Sequence, residues 1–248
     1  MCAFKMRTFK VACMNVGRGC VATHVFLEVC ARRKVGVCFV GKYWVGRTRS
    51  GTLSHPDYIM LGSANKGMKV VVFVSRDLGN GVELAVAIRH VVIVKVGGCK
   101  VGGVYGKYGI GVHAMKDWLG SMMGWIGGGD WVLLGDWNGY HHTWSLDGSS
   151  GPGGRVFAEW VQEHGVEVYF GDGGTFEQRR GGDVVPTRTD FEVLSPDCSW
   201  TSEDGNCFLS VHACIRGSLV VGELERVDKR QVVEWDRLPV ILADEDEG

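Results

Sequence analysis

Proline is scarce in this sequence, 5 residues in 248, and no proline-rich stretch divides it. One large domain is therefore expected, not two joined by a linker. Basic charge is short as well: lysine and arginine number 27 against 28 aspartates and glutamates, a formal net charge of −1. No global positive field draws in a polyanion, so any nucleic-acid binding has to be local. No run of about 18 uncharged apolar residues occurs, which argues against a membrane span. Residues 1–10 carry Lys5, Arg7 and Lys10 with no apolar run behind them, unlike a secretory leader. The 9 cysteines are an odd number with no C-x-x-C pair. That suits reduced thiols in an intracellular protein, cytoplasmic or nuclear, better than a disulfide scaffold or a zinc site.

What the chain does have is apolar mass, 45% of its residues, and 38 glycines. A chain of this length buries about three quarters of its unfolded surface, enough for one large core. Short β-branched runs bounded by glycine predict strands at 9–14, 35–40, 69–74, 82–88, 91–96, 131–134, 166–170 and 191–194. Helical spacing appears over 22–31, 115–125 and 154–164. Trp118, Met122 and Trp125 share one helical face and read as core. Several strand runs are apolar at consecutive positions, as in sheets covered on both faces. From Gly222 the character changes to alternating charge, ending in Asp244-Glu245-Asp246-Glu247. The expected organisation is a domain over 1–221 and a charged, solvated connector or tail over 222–248. Local basic groups (Arg32-Arg33-Lys34, Arg47 and Arg49, Arg179-Arg180) read equally well as ordinary loop charges.

The sharpest chemical signal is Leu133-Leu134-Gly135-Asp136-Trp137-Asn138-Gly139-Tyr140-His141-His142, an apolar strand running into a polar cluster. Positions two apart on a strand end share a face, so Asp136 and Asn138 are expected on one rim. A carboxylate beside a carboxamide suits a hard cation and a phosphate oxygen; the same residues also make an ordinary Asx turn. Asp190, in Arg188-Thr189-Asp190-Phe191, and His212, in Ser210-Val211-His212, are a possible carboxylate–imidazole pair of the general acid–base kind. Tyr43, Trp44, His55 and Trp144 are candidates for stacking on a displaced base.

Taken in order, these pieces resemble the endonuclease/exonuclease/phosphatase superfamily, and within it the apurinic-like endonuclease domain of fungal non-LTR (LINE-type) retrotransposons. The resemblance runs over residues 8–217. It begins at Asn15 in Val11-Ala12-Cys13-Met14-Asn15, continues through Gly103-Val104-Tyr105, and is most specific at Gly135-Asp136-Trp137-Asn138 with His141 and His142. It closes with Arg188-Thr189-Asp190 and Ser210-Val211-His212. The fold it implies is a four-layered α/β sandwich: two mostly antiparallel mixed sheets packed face to face with helices outside. The activity it implies is Mg²⁺- or Mn²⁺-dependent DNA nicking. Asn15 and Asp136 would hold the metal, Asn15, Asn138, Tyr105 and His142 the substrate, and His212 oriented by Asp190 would serve the chemistry alongside Asp136, Asn138 and Tyr105. DNA is the implied partner, with a reverse-transcriptase module that this sequence does not contain.

Two residues depart from the pattern. Lys42 stands where the resemblance places a metal-binding glutamate, and Val211 where it places the aspartate before the histidine. An ammonium about 4 Å from a divalent ion repels it by several kcal/mol. A catalytically inactive pseudo-nuclease retained for nucleic-acid or protein binding is thus the alternative reading, and a phosphatase of small molecules a third.

Overall fold

The computed structural model describes residues 7–44, 54–62, 67–107, 109–146, 148–170, 174–180, 183–203 and 212–221. Arg47, Arg49, Ser210, Val211 and the segment 222–248 lie outside them, as do the side chains of Arg179 and Arg180. In chain order, β1 (Arg7–Asn15) leads through α1 (Cys20–Arg32) into β2 (Val35–Gly41). Then come β3 (Tyr58–Leu61), β4 (Val70–Ser75), β5 (Val82–Ile88), β6 (Val91–Val96) and β7 (Cys99–Tyr105). α2 (Val112–Ile126), β8 (Trp131–Asp136), α3 (Pro152–His164) and β9 (Glu167–Tyr169) precede the hairpin β10 (Phe176–Arg180) and β11 (Asp183–Thr187). The described chain ends with β12 (Asp190–Leu194), β13 (Trp200–Glu203) and β14 (Ile215–Val221).

Two six-stranded sheets result, in the orders β13-β14-β1-β2-β4-β3 and β5-β6-β7-β8-β12-β9. Each holds one parallel pair, β1 with β2 and β7 with β8, and each pair is bridged by a helix. The remaining pairs of these sheets are antiparallel, as short connections allow. Alternation along the strands separates three apolar layers. Val11, Cys13, Val37, Phe39 and Val72 of one sheet meet Val94, Val101, Val132 and Leu134 of the other. On the outer face of the first sheet, Phe26, Leu27 and Cys30 of α1 cover Ala12, Met14, Cys38 and Val40. On the second, Leu119, Met122, Phe157 and Trp160 of α2 and α3 cover Leu133, Phe191 and Val193. The architecture is therefore helix, sheet, sheet, helix, the expected four-layered sandwich. Pro152 opens α3 with a preset φ, and Gly165 closes it in the left-handed region at φ 60°.

Each predicted strand and helix has its counterpart. The sequence reading missed β3, β7, β10, β11, β13 and β14. β7 was hidden by Gly102 and Gly103, which interrupt an apolar run. Those glycines are required by packing: a side-chain carbon on Gly103 would strike Phe39 of the facing sheet, and one on Gly102 would strike Leu133. Of the proposed stacking residues, Tyr43, His55 and Trp144 are buried, and Trp144 lies on the Phe170 ring. None of these three offers a face to a base; burial in the core outweighed their position beside the loops.

Candidate functional site

The period-2 alternation that builds the central layer also builds its polar end. In β1, Asn15 continues the inner-facing series Val11 and Cys13; in β8, Asp136 continues Val132 and Leu134; in β12, Asp190 shares the face of Leu194. β8 and β12 are antiparallel with Asp136 directly opposite Asp190, and β7 places Tyr105 opposite Asp136. Asn15, Asp136, Asp190 and His212 thus meet at one rim, each buried to 5% exposure or less.

Their hydrogen bonds specify orientation. The backbone N–H of Gly17 donates to Asn15 Oδ1 at 3.1 Å, which turns Nδ2 into the site. Nδ2 then donates to Asp136 Oδ2 at 2.9 Å and meets Nε2 of His212 at 3.0 Å. Since that amide nitrogen can only donate, Nε2 carries the lone pair, and Nδ1–H donates to Asp190 Oδ2 at 2.9 Å. Thr189 Oγ1 donates to the same Asp190 oxygen at 3.2 Å. Burial pulls His212 toward neutrality, but the hydrogen bond and charge of Asp190, aided by Asp136, hold its pKa above the usual imidazole value. Burial, and then the Asp190 charge, push the Asp136 carboxyl up to about 7.

Asn138 follows with φ 49°, its backbone N–H donating to Asp136 Oδ1 at 3.2 Å. The Asx turn and the site cluster anticipated as alternatives are one structure. Asn138 Nδ2 donates to the Gly106 carbonyl at 2.7 Å, leaving one amide hydrogen to offer. Gly106 is clasped there: its N–H reaches the Asp136 carbonyl at 2.6 Å, and any side chain on it would collide with the Trp137 carbonyl. Trp137 turns away into the helix-covered layer, stacking on Phe191 and donating Nε1–H to the Phe191 carbonyl. Its indole pins the loop. His142 is exposed farther along, with Ser150 and the His141 ring as its contacts.

Two supporting residues had no local sequence signal. Thr175 Oγ1 accepts the backbone N–H of both Thr189 and Asp190 at 3.0 Å, and its carbonyl takes the N–H of Ala213. One residue therefore fixes the chain on both sides of the Asp190–His212 contact. Phe176 stacks on the His212 ring at 4.5 Å. Both come from a glycine-flanked stretch with no periodicity.

Lys42 sits just past β2 with its Nζ 4.9 Å from the centroid of the Tyr105 ring. Oxygens of Asp136 and Asp190 and a ring nitrogen of His212 lie within 4.8 Å of one another, so this group could hold a metal ion. It suits Mg²⁺ poorly, because that ion wants about six oxygen ligands. Asn15 presents hydrogens, not a lone pair; both Asp136 oxygens already accept hydrogen bonds; and the Lys42 charge acts on Asp136 and His212 alike.

Two residues beyond Asp190 on the same face of β12, Glu192, 2% exposed, accepts Trp200 Nε1–H at 2.7 Å and Ser202 Oγ–H at 3.0 Å. Burial pushes its pKa up to about 7 despite those two donors. A carboxyl raised above its unfolded value contributes stability that is full in acid and lost as pH climbs through the folded value. Asp136 and His212 are shifted in the same direction, so thermal stability is expected to decline between about pH 5 and pH 8. Glu192→Gln should shrink that decline, by at most about 3 kcal/mol; unfolding curves at both pH values measure it.

No protein-family model matches this sequence, and no curated protein matches it. Solved structures do. The endonuclease domain of TRAS1, a telomere-specific non-LTR retrotransposon, superposes with a TM-score of 0.67 at 17% identity, over 89% of this chain and 100% of that domain. The 3' phosphatase NExo from Neisseria, bound to a product DNA hairpin, gives 0.62 at 16%, over 85% and 99%. An endonuclease/exonuclease/phosphatase family protein from Bacteroides thetaiotaomicron gives 0.60 at 12%, over 88% and 99%. At such identities the likeness is one of architecture. The chain is built on the endonuclease/exonuclease/phosphatase fold.

Proposed function

We propose that the protein hydrolyses phosphodiester bonds in DNA, as an endonuclease of the retrotransposon type. The observation that carries the reading is the convergence of Asn15, Asp136, Asp190 and His212, from distant strands, into one hydrogen-bonded cluster at a sheet rim. With Nδ1–H anchored on Asp190, His212 keeps a basic Nε2; Asn15 Nδ2–H rests on it in this structure, and the attacking water has to displace that contact. A water oxygen bonds to phosphorus as the ester P–O bond breaks; Nε2 takes the water's proton, Asp190 stabilises the resulting imidazolium, and the departing ester oxygen keeps the electron pair of the broken bond and is protonated from solvent. Asn138, through its remaining amide hydrogen, and Tyr105 hold the phosphodiester, and His142 contacts the flanking strand. Asp136 orders Asn15 and the Asn138 turn around it.

The similarity of fold to nucleases and to a DNA-bound phosphatase supports this substrate class. Supercoiled plasmid should be converted to the nicked form, and His212→Ala should abolish the conversion. Running the assay with Mg²⁺, with Mn²⁺ and with chelator tests the metal requirement that the resemblance implies. One observation favours the pseudo-nuclease: Lys42 beside the cluster. An inert wild type whose Lys42→Glu, Val211→Asp double variant nicks would establish that reading in place of the first.

A further inference from the structure

The positive charge at this rim is supplied by the chain itself. Gly41 is paired with Asn15 in the β1–β2 ladder, so the next residue, Lys42, is held beside the first member of the cluster. Its backbone is fixed at both ends of the peptide: the Lys42 N–H donates to the Lys69 carbonyl at 2.7 Å, and its carbonyl accepts the Arg18 N–H at 2.6 Å. At φ 45° it occupies the left-handed region, an uncommon place for a long side chain and one that the surrounding structure has to hold.

From that anchor the side chain crosses from one sheet to the other and lays its ammonium over the Tyr105 ring. Tyr105 stands opposite Asp136 in the β7–β8 register, so the ammonium is held above the same rim. An aromatic face orients a cation without neutralising it, and the N–H groups turned away from the ring remain available to donate. Among the described residues no carboxylate forms an ion pair with Lys42, while its field reaches both Asp136 and His212. Further cations gather behind Tyr105: its ring stacks on His90 at 6.1 Å, and Arg89, Lys69 and Lys107 lie around that histidine. In a chain of net charge −1 this is a local concentration of positive charge.

We propose that Lys42 is the resident cation of the site, gripping the non-bridging oxygens of a nucleic-acid phosphate so that phosphate capture requires no divalent ion. The proposal rests on the phosphodiesterase reading above and specifies how that site takes its substrate. A lysine ammonium is a compact point charge with three donors, suited to a tetrahedral anion. The neighbouring carboxylates do not compete for it strongly, because Asp136 is occupied by Asn15 and the Asn138 N–H, and Asp190 by His212 and Thr189.

The test is fluorescence-anisotropy titration of a labelled DNA duplex with the full chain, in EDTA and in Mg²⁺, beside the nicking assay. Wild-type affinity should agree within about twofold between the two buffers at matched ionic strength. Lys42→Met should weaken binding in EDTA about 10- to 100-fold and lower the salt dependence by about one phosphate contact. Lys42→Arg should retain most of the affinity, and Lys42→Glu should bind only when Mg²⁺ is present. Lys42→Gln, with its melting curve recorded, stands in if Lys42→Met does not fold. Wild-type binding lost in EDTA and restored by Mg²⁺ would overturn the proposal, as would undiminished binding by folded Lys42→Met while wild-type nicking persists. In both cases the phosphodiesterase reading survives. A wild type that neither binds nor nicks DNA in any buffer removes that reading, and this proposal with it.

Discussion

Asp190→Asn is expected to cut DNA hydrolysis by about 10³- to 10⁴-fold, with little change in melting temperature. Asp190 does two things that an amide does not. Its charge stabilises the imidazolium formed when His212 takes a proton, and as a pure acceptor it forces the ring hydrogen onto Nδ1, leaving Nε2 free of one. An amide can turn its NH₂ toward Nδ1 and select the opposite tautomer, which has no base facing the pocket. The fold should tolerate the change, because the Asp190 backbone N–H remains on Thr175 and the β12 ladder is untouched. The pH–rate profile separates this role from a merely structural one. His212 now titrates above the ordinary imidazole value, and a base works in its neutral form. Activity should therefore rise with pH through that raised value, and in Asp190→Asn the residual activity should rise at lower pH. A variant within about twofold of the wild-type rate would remove His212 and Asp190 from the chemistry.

Asp136→Asn should separate stability from activity. The carboxyl, 3% exposed and facing Asp190, is shifted from an ordinary 3.8 to about 7, which bounds the cost of ionising it at about 4 kcal/mol. That value already contains the lowering by His212, Asn15 and Lys42; because an amide forfeits one of the two hydrogen bonds that the carboxylate accepts, a smaller gain of about 1–2 kcal/mol, or about 3–6 °C in Tm, is expected at about pH 8. Because the folded value is the raised one, the carboxyl is already neutral in acid, and the gain should vanish near pH 5. Nicking should fall at least about 100-fold, because the amide no longer orders Asn15 and His212 as an anion does. Equal stability of variant and wild type at both pH values would show that the buried like-charge pair is not a source of strain. Unchanged nicking would show that the cluster is not the reactive site.

The architecture was legible where local pattern and environment agree. The runs at 35–40 and 91–96 are apolar at nearly every position because β2 and β6 lie between covered faces, and that alone identified them. β7 was not legible, since the property that makes it a central strand, glycine where Phe39 and Leu133 press against it, erases the β-branched pattern by which strands are recognised. β13 and β14 escaped for a different reason: polar residues such as Ser202 and Arg216 alternate into the strands, and only the pairing of β14 with β1, and of β13 with β14, makes them part of a sheet. Asp136, Asn138, Asp190 and His212 stood out from their own chemistry and Asn15 and Tyr105 from the resemblance, but their meeting was not deducible from spacing, since Asn15 and His212 are 197 positions apart. Thr175 was missed because a threonine after glycines carries no trace of the four backbone groups it will bind, on Thr187, Thr189, Asp190 and Ala213. Lys42 stood out as a departure from the resemblance, a lysine where a metal-binding glutamate is implied; its seat over Tyr105 depends on how the two sheets face each other, which no single segment encodes.

The face-to-face register of Asp136 and Asp190 has a consequence for how such a protein can change over time. Inserting or deleting one residue within β8 or β12 rotates every later side chain to the opposite side, sending an acid into the tryptophan- and phenylalanine-rich layer under α2 and α3. Those two strands are therefore closed to length variation. Diversification in what the protein grips is channelled into the turns that leave the rim, where residues can be gained or lost without moving an anchor.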